Sequence, residues 1–383
     1  MAAVNRKEVG RRGAGNLRST VTGRMTTESA IFRIDGVSKS YGGVKALDGV
    51  TLEAGVNEYV SLLGPSGSGK TTLLRVIAGF EVPDTGRVFF QGRDITGLPA
   101  HERGIGFVFQ NFALFPHLTV KKNVAFGMMH GRTVVSPSEI EARCQAVIDM
   151  VGLSGLEDRS VEQISGGQRQ RVALARTLVM QPKLVLLDEP LGALDANLRG
   201  RMRNELRAIR ERMGVTFLHV TGSETEALTM GDTVVVLDRG RIIQAGTPDD
   251  VYSAPASPAV AHFLNRFNLF DGTLAGGKFS GAFGTIATPQ AVEANQDVYA
   301  IRYDRMQVLP LSATVTGPAL KATYVASEYL GSSVMNFFET PDDKVVEVEH
   351  HLSLGAPETY EPRKDYLLTW NPEMAIVFGR EAN

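Results

Sequence analysis

Cysteine and long apolar runs are nearly absent from this sequence. One cysteine, Cys144, occurs among 383 residues, so an internal disulfide is excluded and a reducing compartment is favoured. Cys144 falls in a helical pattern, which predicts a buried structural thiol rather than a reactive one. No segment approaches the run of about 18 apolar residues that a membrane-spanning helix needs. Any association with a membrane is therefore expected to go through another protein.

Net charge of one sign is also lacking. The chain carries 40 Lys plus Arg and 42 Asp plus Glu, which gives a formal charge of -2. Without a global basic field, the composition does not favour a nucleic-acid partner. Residues 198–212 are rich in arginine, but Glu205 and Glu211 mix with the positive charges. This mixture is typical of a solvated helix face rather than of a stripe that binds nucleic acid.

The length predicts two domains, because 383 residues exceed what one ordinary core holds. Residues 1–29 are polar and basic, and we expect a disordered extension or an upstream start codon with Met25 as the working initiator. An organelle transit peptide is the alternative for this segment. In residues 30–265, short apolar strands alternate with amphipathic helices, which predicts an α/β domain. In residues 266–383, β-rich runs separated by turn residues predict a small antiparallel barrel.

Hydrophobic periodicity also places the individual elements. In the first domain it predicts strands over residues 44–52, 58–63, 104–109, 183–187, 215–220 and 233–237. It predicts helices over residues 72–78, 138–151, 167–180, 196–213 and 224–230. Asp195 stands where the N-cap of the helix 196–213 belongs. In the second domain the predicted strands cover residues 298–302, 322–325, 334–339, 344–349 and 366–370.

A glycine-rich loop that matches the pattern G-x-x-x-x-G-K-[ST] follows the predicted strand 58–63. Its glycines let backbone N–H groups surround phosphate oxygens, and the next helix points its positive end at the anion. Lys70 would reach the β- and γ-phosphates of ATP, and the Thr71 hydroxyl would ligate Mg²⁺. The residues predicted to bind the nucleotide here are Gly64, Pro65, Ser66, Gly67, Ser68, Gly69, Lys70, Thr71 and Thr72.

Two further strings lie near the middle of the chain. They are Ile164-Ser165-Gly166-Gly167-Gln168-Arg169-Gln170-Arg171 and Leu184-Val185-Leu186-Leu187-Asp188-Glu189-Pro190. Together with the phosphate loop, they resemble the ATP-binding cassette (ABC) ATPases, and the resemblance covers roughly residues 31–378. It implies an α/β fold with a P-loop ABC ATPase domain and a helical subdomain. A small all-β, OB-like barrel of the transport-associated kind would follow as residues 266–383.

The resemblance assigns the catalytic and metal-binding roles. Asp188 would support Mg²⁺, and Glu189 would be the base for the attacking water. A purely structural acid pair is disfavoured, because buried carboxylates are costly without a cation. Gln110, at the end of the strand 104–109, would be catalytic, would contact Mg²⁺ and would sense a membrane partner.

The resemblance also implies a dimer. The signature residues Ser165, Gly166, Gly167 and Gln168 would bind the γ-phosphate that a second copy of the chain holds, since a helix N-terminus offers free N–H groups to phosphate. Two ATP molecules would then lie at the interface of a head-to-tail pair. Asp195 ends a segment that resembles the loop coupling the two sites, and it is included among the nucleotide-site residues.

Aromatic and apolar residues suggest two further contacts. Tyr41 resembles the aromatic residue that stacks on adenine. Phe112, Leu114 and Phe115 crowd a loop beside Gln110. They fit either ordinary core packing or a groove into which a partner helix docks.

One position departs from the family pattern. ABC ATPases usually end the strand after the acid pair with a histidine that contacts the γ-phosphate, whereas this chain has Gly222 there. His219 lies three residues earlier and faces the other way on an extended strand, so we interpret it as structural. Loss of one donor to the transition state typically costs about 100- to 1000-fold in rate. The sequence therefore predicts a slow ATPase that keeps Glu189.

The expected function is that of the ATP-hydrolysing subunit of a bacterial importer, most like the spermidine/putrescine type, with sugar and ferric-iron importers as relatives. Its partners would be integral-membrane permease subunits, a second copy of itself and, indirectly, an extracytoplasmic solute-binding protein, with no nucleic acid. It would lie peripherally on the cytoplasmic face of the inner membrane. Two alternatives stay open, namely a soluble ABC ATPase of DNA repair or translation and an ATP-gated clamp that does not hydrolyse ATP.

Overall fold

The computed structural model describes residues 30–131, 134–192, 196–264, 266–288, 297–356 and 358–379. An α/β part comes first and an all-β part follows it, as the sequence predicts. No helix within the described ranges is long and apolar enough to cross a membrane.

The strands of the α/β part form two sheets. They are β1 (Ala30–Tyr41), β2 (Val44–Gly55), β3 (Tyr59–Leu63), β4 (Thr85–Phe90), β5 (Arg93–Asp94), β6 (Gly106–Val108), β7 (Leu184–Asp188), β8 (Thr216–Thr221), β9 (Thr233–Asp238) and β10 (Arg241–Gly246). The first sheet is antiparallel, with the order β2-β1-β4-β5. The second sheet has the order β10-β9-β3-β8-β7-β6, and all its neighbours are parallel except β10 and β9.

Helices cover the six-stranded sheet. They are α1 (Lys70–Ala78), α2 (Val120–His130), α3 (Pro137–Met150), α4 (Gly166–Leu178), α5 (Ala196–Met213), α6 (Glu224–Met230), α7 (Pro248–Ser253) and α8 (Pro258–Phe263). Short 3-10 helices occur at Ala100–Glu102, Val161–Gln163, Tyr303–Arg305, Leu352–Leu354 and Pro372–Met374.

Alternate side chains of the parallel strands enter different cores, because successive residues of a strand point to opposite faces. In β7, Leu184 and Leu186 pack with α1 and the antiparallel sheet. Val185 and Leu187 pack with α2, α3, α4 and α5 on the other face. The sheet is therefore buried on both sides, which explains why its strands read as continuous apolar runs.

The parallel arrangement brings the predicted site segments to one edge. Asp188 at the end of β7 pairs with Val220 of β8, and Leu63 at the end of β3 pairs with Thr221. The phosphate loop follows β3, and Gly222 follows β8. Ligands of open α/β sheets bind outside the carboxyl ends of the strands, so this edge is the place for the site.

The all-β part contains ten strands in the described ranges. They are β11 (Phe267–Ala275), β12 (Lys278–Gly281), β13 (Gly284–Ala287), β14 (Asp297–Arg302), β15 (Met306–Pro310), β16 (Ala319–Tyr329), β17 (Ser333–Glu339), β18 (Val345–His351), β19 (Asp365–Trp370) and β20 (Ile376–Gly379). They pair into two antiparallel five-stranded sheets with the orders β13-β12-β11-β14-β20 and β15-β19-β16-β17-β18.

Both five-stranded sheets share one aromatic core. Trp370 of β19 donates a hydrogen bond of 2.8 Å from its indole nitrogen to the Tyr299 hydroxyl of β14. Its ring also lies parallel to that of Phe270, with centroids 5.9 Å apart. Burial of the phenol raises the pKa of Tyr299 to about 12.

A small apolar cluster joins the two parts of the molecule. Ala261 of α8 packs with residues of β11, β14 and β20, including Phe267, Ala300 and Phe378. Nearby, the Arg302 guanidinium lies 4.6 Å from the centroid of the Tyr252 ring.

Most predicted elements occur within a few residues of their expected bounds, and Cys144 is fully buried, as predicted. Three helices begin earlier than predicted, and for α3 the difference is a single residue, Pro137. The first, α1, begins at Lys70 because Gly69 precedes it in a left-handed conformation with φ of 104°. The signature helix α4 begins at Gly166 because Ser165 caps it.

Candidate functional site

The phosphate loop curls around the side chain of Lys70. The Lys70 ammonium donates hydrogen bonds of 2.7 Å to the carbonyl oxygen of Gly64 and 2.9 Å to that of Pro65. Lys70 is 7% exposed, and this burial lowers the pKa of its side chain. Lys70 and Thr71 lie in the first turn of α1, so the positive end of that helix faces the interior of the loop.

The loop fits a phosphate-bearing nucleotide. A Cβ atom at Gly64 would lie 2.1 Å from the carbonyl oxygen of Leu237, and one at Gly69 would lie 2.3 Å from that of Ala46. Only glycine therefore allows this close approach of backbone segments. The buried hydroxyl oxygen of Ser68 has no hydrogen-bond partner, which leaves a polar group for a ligand.

The acid pair lies beside the loop. The Thr71 hydroxyl is 3.5 Å from a carboxylate oxygen of Asp188. Burial, and then the neighbouring Glu189 carboxylate, raise the pKa of Asp188. A hydroxyl next to a desolvated carboxylate is a hard-oxygen set that suits Mg²⁺.

Glu189 is held in an unusual conformation. Its φ is 44°, a left-handed value that costs a residue with a side chain about 1 to 2 kcal/mol. Its N–H donates a hydrogen bond of 3.0 Å to the carbonyl of Val220 in β8. The Gln110 amide donates another, of 2.9 Å, to a Glu189 carboxylate oxygen. The structure thus brings together the two residues for which sequence analysis predicts catalytic roles.

Gly222 is exposed and has room for a larger side chain. A Cβ atom there would have no neighbour within 4 Å, and the backbone does not have a left-handed φ. The next residue, Ser223, accepts a hydrogen bond from the N–H of Glu226 and caps α6.

His219 is a fully buried residue of β8, in agreement with the structural interpretation. Its ring meets that of Tyr59 edge to face, with centroids 5.8 Å apart. Burial lowers the pKa of His219 to about 3. The imidazole therefore stays neutral inside the core, whereas Gly222 is exposed.

Tyr41 ends β1 at a hairpin beside the loop. It is 44% exposed, and the Lys39 ammonium lies 5.5 Å from its ring centroid. Strand β2 of the same hairpin places Ala46 against Gly69. Tyr41 therefore has an accessible ring on the hairpin that borders the phosphate loop, which suits a stacking role.

The signature segment forms a capping box. The Ser165 hydroxyl accepts a hydrogen bond from the N–H of Gln168, and the Gln168 side-chain oxygen accepts one of 2.8 Å from the N–H of Ser165. A Cβ atom at Gly167 would lie 2.6 Å from the Leu198 side chain of α5, so glycine permits close helix packing. Asp195 lies outside the described residues.

A groove of about 500 Å³ lies between the segment after Gln110 and the start of α4. Phe112 and Leu114 line it, and both also pack on the core below. Phe115 instead stacks on Phe126, with ring centroids 4.1 Å apart. The groove is lined by Gln110, Asn111, Phe112, Leu114, Pro116, Val161, Glu162, Gly166 and Arg169.

Sequence analysis missed Arg176 of α4. Its guanidinium donates hydrogen bonds of 2.6 Å to the carbonyl of Ala113 and 2.8 Å to that of Phe112. A charged residue directly after the apolar run 172–175 was the available signal. Such a residue needs a polar partner when its helix is buried.

Comparison with known proteins found a matching family and similar relatives. A family profile described as ABC transporter matches residues 47–192. Over 245 residues the chain is 49% identical to the spermidine/putrescine import ATP-binding protein PotA of Clostridioides difficile, covering 64% of this chain and 70% of that protein. It is 45% identical over 303 residues to the sulfate/thiosulfate import ATP-binding protein CysA of Caulobacter vibrioides, covering 77% of this chain and 89% of that one.

A solved structure is similar as well. It is the dimeric structure of a post-hydrolysis state of an ATP-binding cassette bound to ADP and Pi, with a TM-score of 0.51 and 32% identity. The match covers 57% of this chain and 98% of that one.

Proposed function

The chain belongs to the ABC transporter family, and from that premise we propose that it hydrolyses ATP to drive import of a small solute through a membrane permease. The observation that carries the proposal is the pair of contacts Thr71–Asp188 and Gln110–Glu189. They bring the phosphate loop, the acid pair and Gln110 to one edge of the sheet.

ATP binding replaces an internal contact. Lys70 now donates to two carbonyl oxygens of its own loop, and phosphate oxygens of ATP would take over these hydrogen bonds. A phosphate oxygen carries negative charge that a neutral carbonyl lacks, so it attracts the Lys70 ammonium more strongly and the exchange favours the nucleotide. The N–H groups of the loop and of the first turn of α1 would hold the remaining phosphate oxygens.

Hydrolysis then needs a water in line with the γ-phosphorus. We assign Glu189 as the group that orients this water and takes its proton while the bond from the γ-phosphorus to ADP breaks. Gln110 would hold the Glu189 carboxylate through the present hydrogen bond. Mg²⁺, held by Thr71, Gln110 and Asp188, would supply positive charge for the phosphate oxygens.

The missing imidazole should make turnover slow. Gly222 supplies no side-chain donor for the γ-phosphate, and neutral His219 lies buried on the strand. We expect Gly222→His to raise the ATPase kcat by about 100- to 1000-fold, because a donor of this kind is worth that much in the transition state. Open space around Gly222 allows the change without strain. Steady-state phosphate release measures it.

Gly222→Ala is the matched control for this experiment. It also fits the open space and stiffens the backbone, but it adds no donor, so its kcat should stay near that of the wild type. Equal turnover of wild type and Gly222→His would contradict the slow-ATPase proposal.

The partners follow from the groove and from the relatives. We propose that a helix of the permease occupies the groove and that a solute-binding protein delivers the cargo. Polyamines are our first choice of cargo because several relatives are spermidine/putrescine import proteins, with sulfate second because of the CysA match. The chain would lie on the cytoplasmic face of the membrane, with a nucleotide-binding domain over 30–265 and a regulatory domain over 266–383.

The assembled complex tests this proposal. Phosphate release should rise when the permease and the loaded binding protein are both present.

A second candidate function, an ATP-gated clamp, is favoured by Gly222 alone. ATP-dependent association of two copies, with no phosphate release in any assembly, would support the clamp and reject the importer.

A further inference from the structure

Two consecutive residues of the segment after Gln110 adopt left-handed backbone conformations. Phe112 has φ of 64° and Ala113 has φ of 45°, and neither is glycine. Such conformations are unfavourable for residues with a Cβ atom, and they persist only where surrounding contacts hold them. The contacts that hold this turn therefore bear on how Gln110 is placed.

Arg176 supplies those contacts from a different element. Its two terminal nitrogens donate to the carbonyls of Ala113 and Phe112 at 2.6 and 2.8 Å. The guanidinium also lies 5.6 Å from the centroid of the Phe115 ring. A planar fork that binds two neighbouring carbonyls fixes their relative orientation, which a single ammonium group cannot do.

The downstream end of the same segment is fixed separately. Asn123 of α2 is fully buried, accepts a hydrogen bond from the N–H of Phe115 and donates one to its carbonyl. The segment thus has one anchor on α2 and another on α4. Arg176 is the anchor next to Gln110.

Arg176 also links the two walls of the groove. Phe112 and Leu114 form one wall, and Gly166 and Arg169 at the start of α4 form the other. A group that presses on Phe112 acts directly on a carbonyl that Arg176 holds. On its other side, the turn continues into Gln110 and its hydrogen bond to Glu189.

We propose that Arg176 is a positioning residue that couples occupation of the groove to the contact between Gln110 and Glu189. The proposal rests on the proposed function, because the occupant is taken to be a permease helix. The signature helix carries Arg176, so the same side chain ties that helix to the position of the catalytic carboxylate.

The test compares Arg176→Lys with wild type in the complex of ATPase subunits, permease and loaded binding protein. Lysine keeps the charge but loses the fork. We expect the stimulated kcat to fall by about tenfold or more, since hydrogen bonds to a charged group are worth about that much. The KM for ATP should stay within about twofold, because the phosphate loop is untouched.

Arg171→Lys is the matched control. Arg171 lies on the same helix and pairs with Glu205 of α5 at 2.5 Å, away from the Gln110 segment. Its substitution should leave the stimulation of the ATPase rate unchanged.

Ala113→Gly provides a rescue, because glycine accepts a left-handed conformation without cost. Added to Arg176→Lys, it should restore a large part of the stimulated rate.

The other possible results reject either the proposed function or the role of Arg176. If the wild-type complex shows no stimulation, the proposed function fails and the coupling fails with it. If wild type is stimulated and Arg176→Lys is stimulated equally, only the role of Arg176 is rejected. A variant that does not fold, or one that Ala113→Gly fails to rescue, assigns Arg176 to general stability and also rejects the proposal.

Discussion

At the scale of single residues, His219 is unusual because both ring nitrogens are buried without a hydrogen-bond partner. The nearest carboxylate oxygen, on Glu226, is 4.0 Å away and accepts a hydrogen bond from Thr221. The neutral ring is therefore favoured in the folded protein, and burial lowers its pKa to about 3. The unfolded chain would have the ordinary value of 6.5.

This difference predicts a dependence of stability on pH. As pH falls below 6.5, the unfolded chain binds a proton that folded His219 does not, so the free energy of unfolding falls by up to about 1.4 kcal/mol per pH unit. His219→Phe removes this pH-dependent contribution to the free energy of unfolding. The stability of wild type relative to the variant should therefore be lower at about pH 5 than at about pH 7.5. Urea unfolding followed by circular dichroism measures both values.

The exposed His117 offers a control for the substitution itself. His117→Phe makes the same replacement where solvent already reaches the ring, so it should change the free energy of unfolding at about pH 7.5 by less than about 0.5 kcal/mol. A constant difference between wild type and His219→Phe across this range would contradict the prediction.

Residues in local motifs could be predicted from the sequence, whereas residues with distant partners could not. The phosphate loop, the acid pair and Gln110 each lie at or just after a strand end, and the parallel sheet brings the strand ends together. Arg176 bonds to Phe112 and Ala113, more than 60 positions away. No pattern of nearby residues reports such a contact.

At the scale of elements, one arginine holds the C-terminal end of the phosphate-loop helix. Buried Arg103 donates 2.8 Å hydrogen bonds to the carbonyls of Val76 and Ile77 in the last turn of α1. It also donates to the carbonyls of Leu98 and Thr96. These contacts satisfy carbonyl groups that a helix end leaves without partners.

Arg103→Met should lower the free energy of unfolding by about 3 kcal/mol or more, because four carbonyls lose a charged donor. Arg103→Lys should recover only part of the loss, since lysine lacks the planar fork. The helical circular-dichroism signal during urea unfolding measures the change.

Arg93→Met is the control, because Arg93 is exposed on the neighbouring strand β5. Its substitution should change stability by less than about 0.5 kcal/mol. A similarly small effect for Arg103→Met would contradict the prediction, because it would show that water satisfies the four carbonyl groups equally well.

Element prediction succeeded where the periodic signal was strong. The bounds of α5 and α6 agree with the predictions, and β7 differs by one residue at each end. Strands β12 and β13 were not predicted, because each has four residues and includes a glycine. Strand β16 is longer than predicted, since pairing with β17 carries it through the exposed residues Ser327 to Tyr329.

At the scale of the whole molecule, we expect the signature segment to act on a second chain. Ser165, the N-cap of α4, is exposed, and Gly166 and Gln168 are partly exposed. The similar dimeric cassette bound to ADP and Pi supports a pair of chains. We therefore expect each copy to offer this turn to the nucleotide of the other.

Glu189→Gln should form a dimer with Mg-ATP and remain monomeric with ADP. Removing the base blocks hydrolysis, and removing one negative charge near the γ-phosphate favours closure. Light scattering coupled to gel filtration would show the mass doubling. Lys70→Ala in the same background should abolish the dimer, because nucleotide binding is lost. A monomer at saturating Mg-ATP would overturn the shared-site arrangement.

The sequence predicted an α/β part followed by an all-β part, and the structure confirms both parts and their order. Strand pairing in the second part was beyond sequence analysis. The ten strands divide into two sheets whose partners are distant along the chain, such as β16 with β19 and β14 with β20. Alternation defines which face is apolar but not which neighbour a strand selects.

The hydrogen bond between Trp370 and Tyr299 has a practical consequence. Trp370 is the sole tryptophan of the chain, and it is 4% exposed within the aromatic core of the last ten strands. Indole fluorescence from the native protein thus arises entirely in that core, at a distance from the phosphate loop in sequence. Any emission change on adding nucleotide or solute would report a signal that has reached those strands, without a dye or an engineered label.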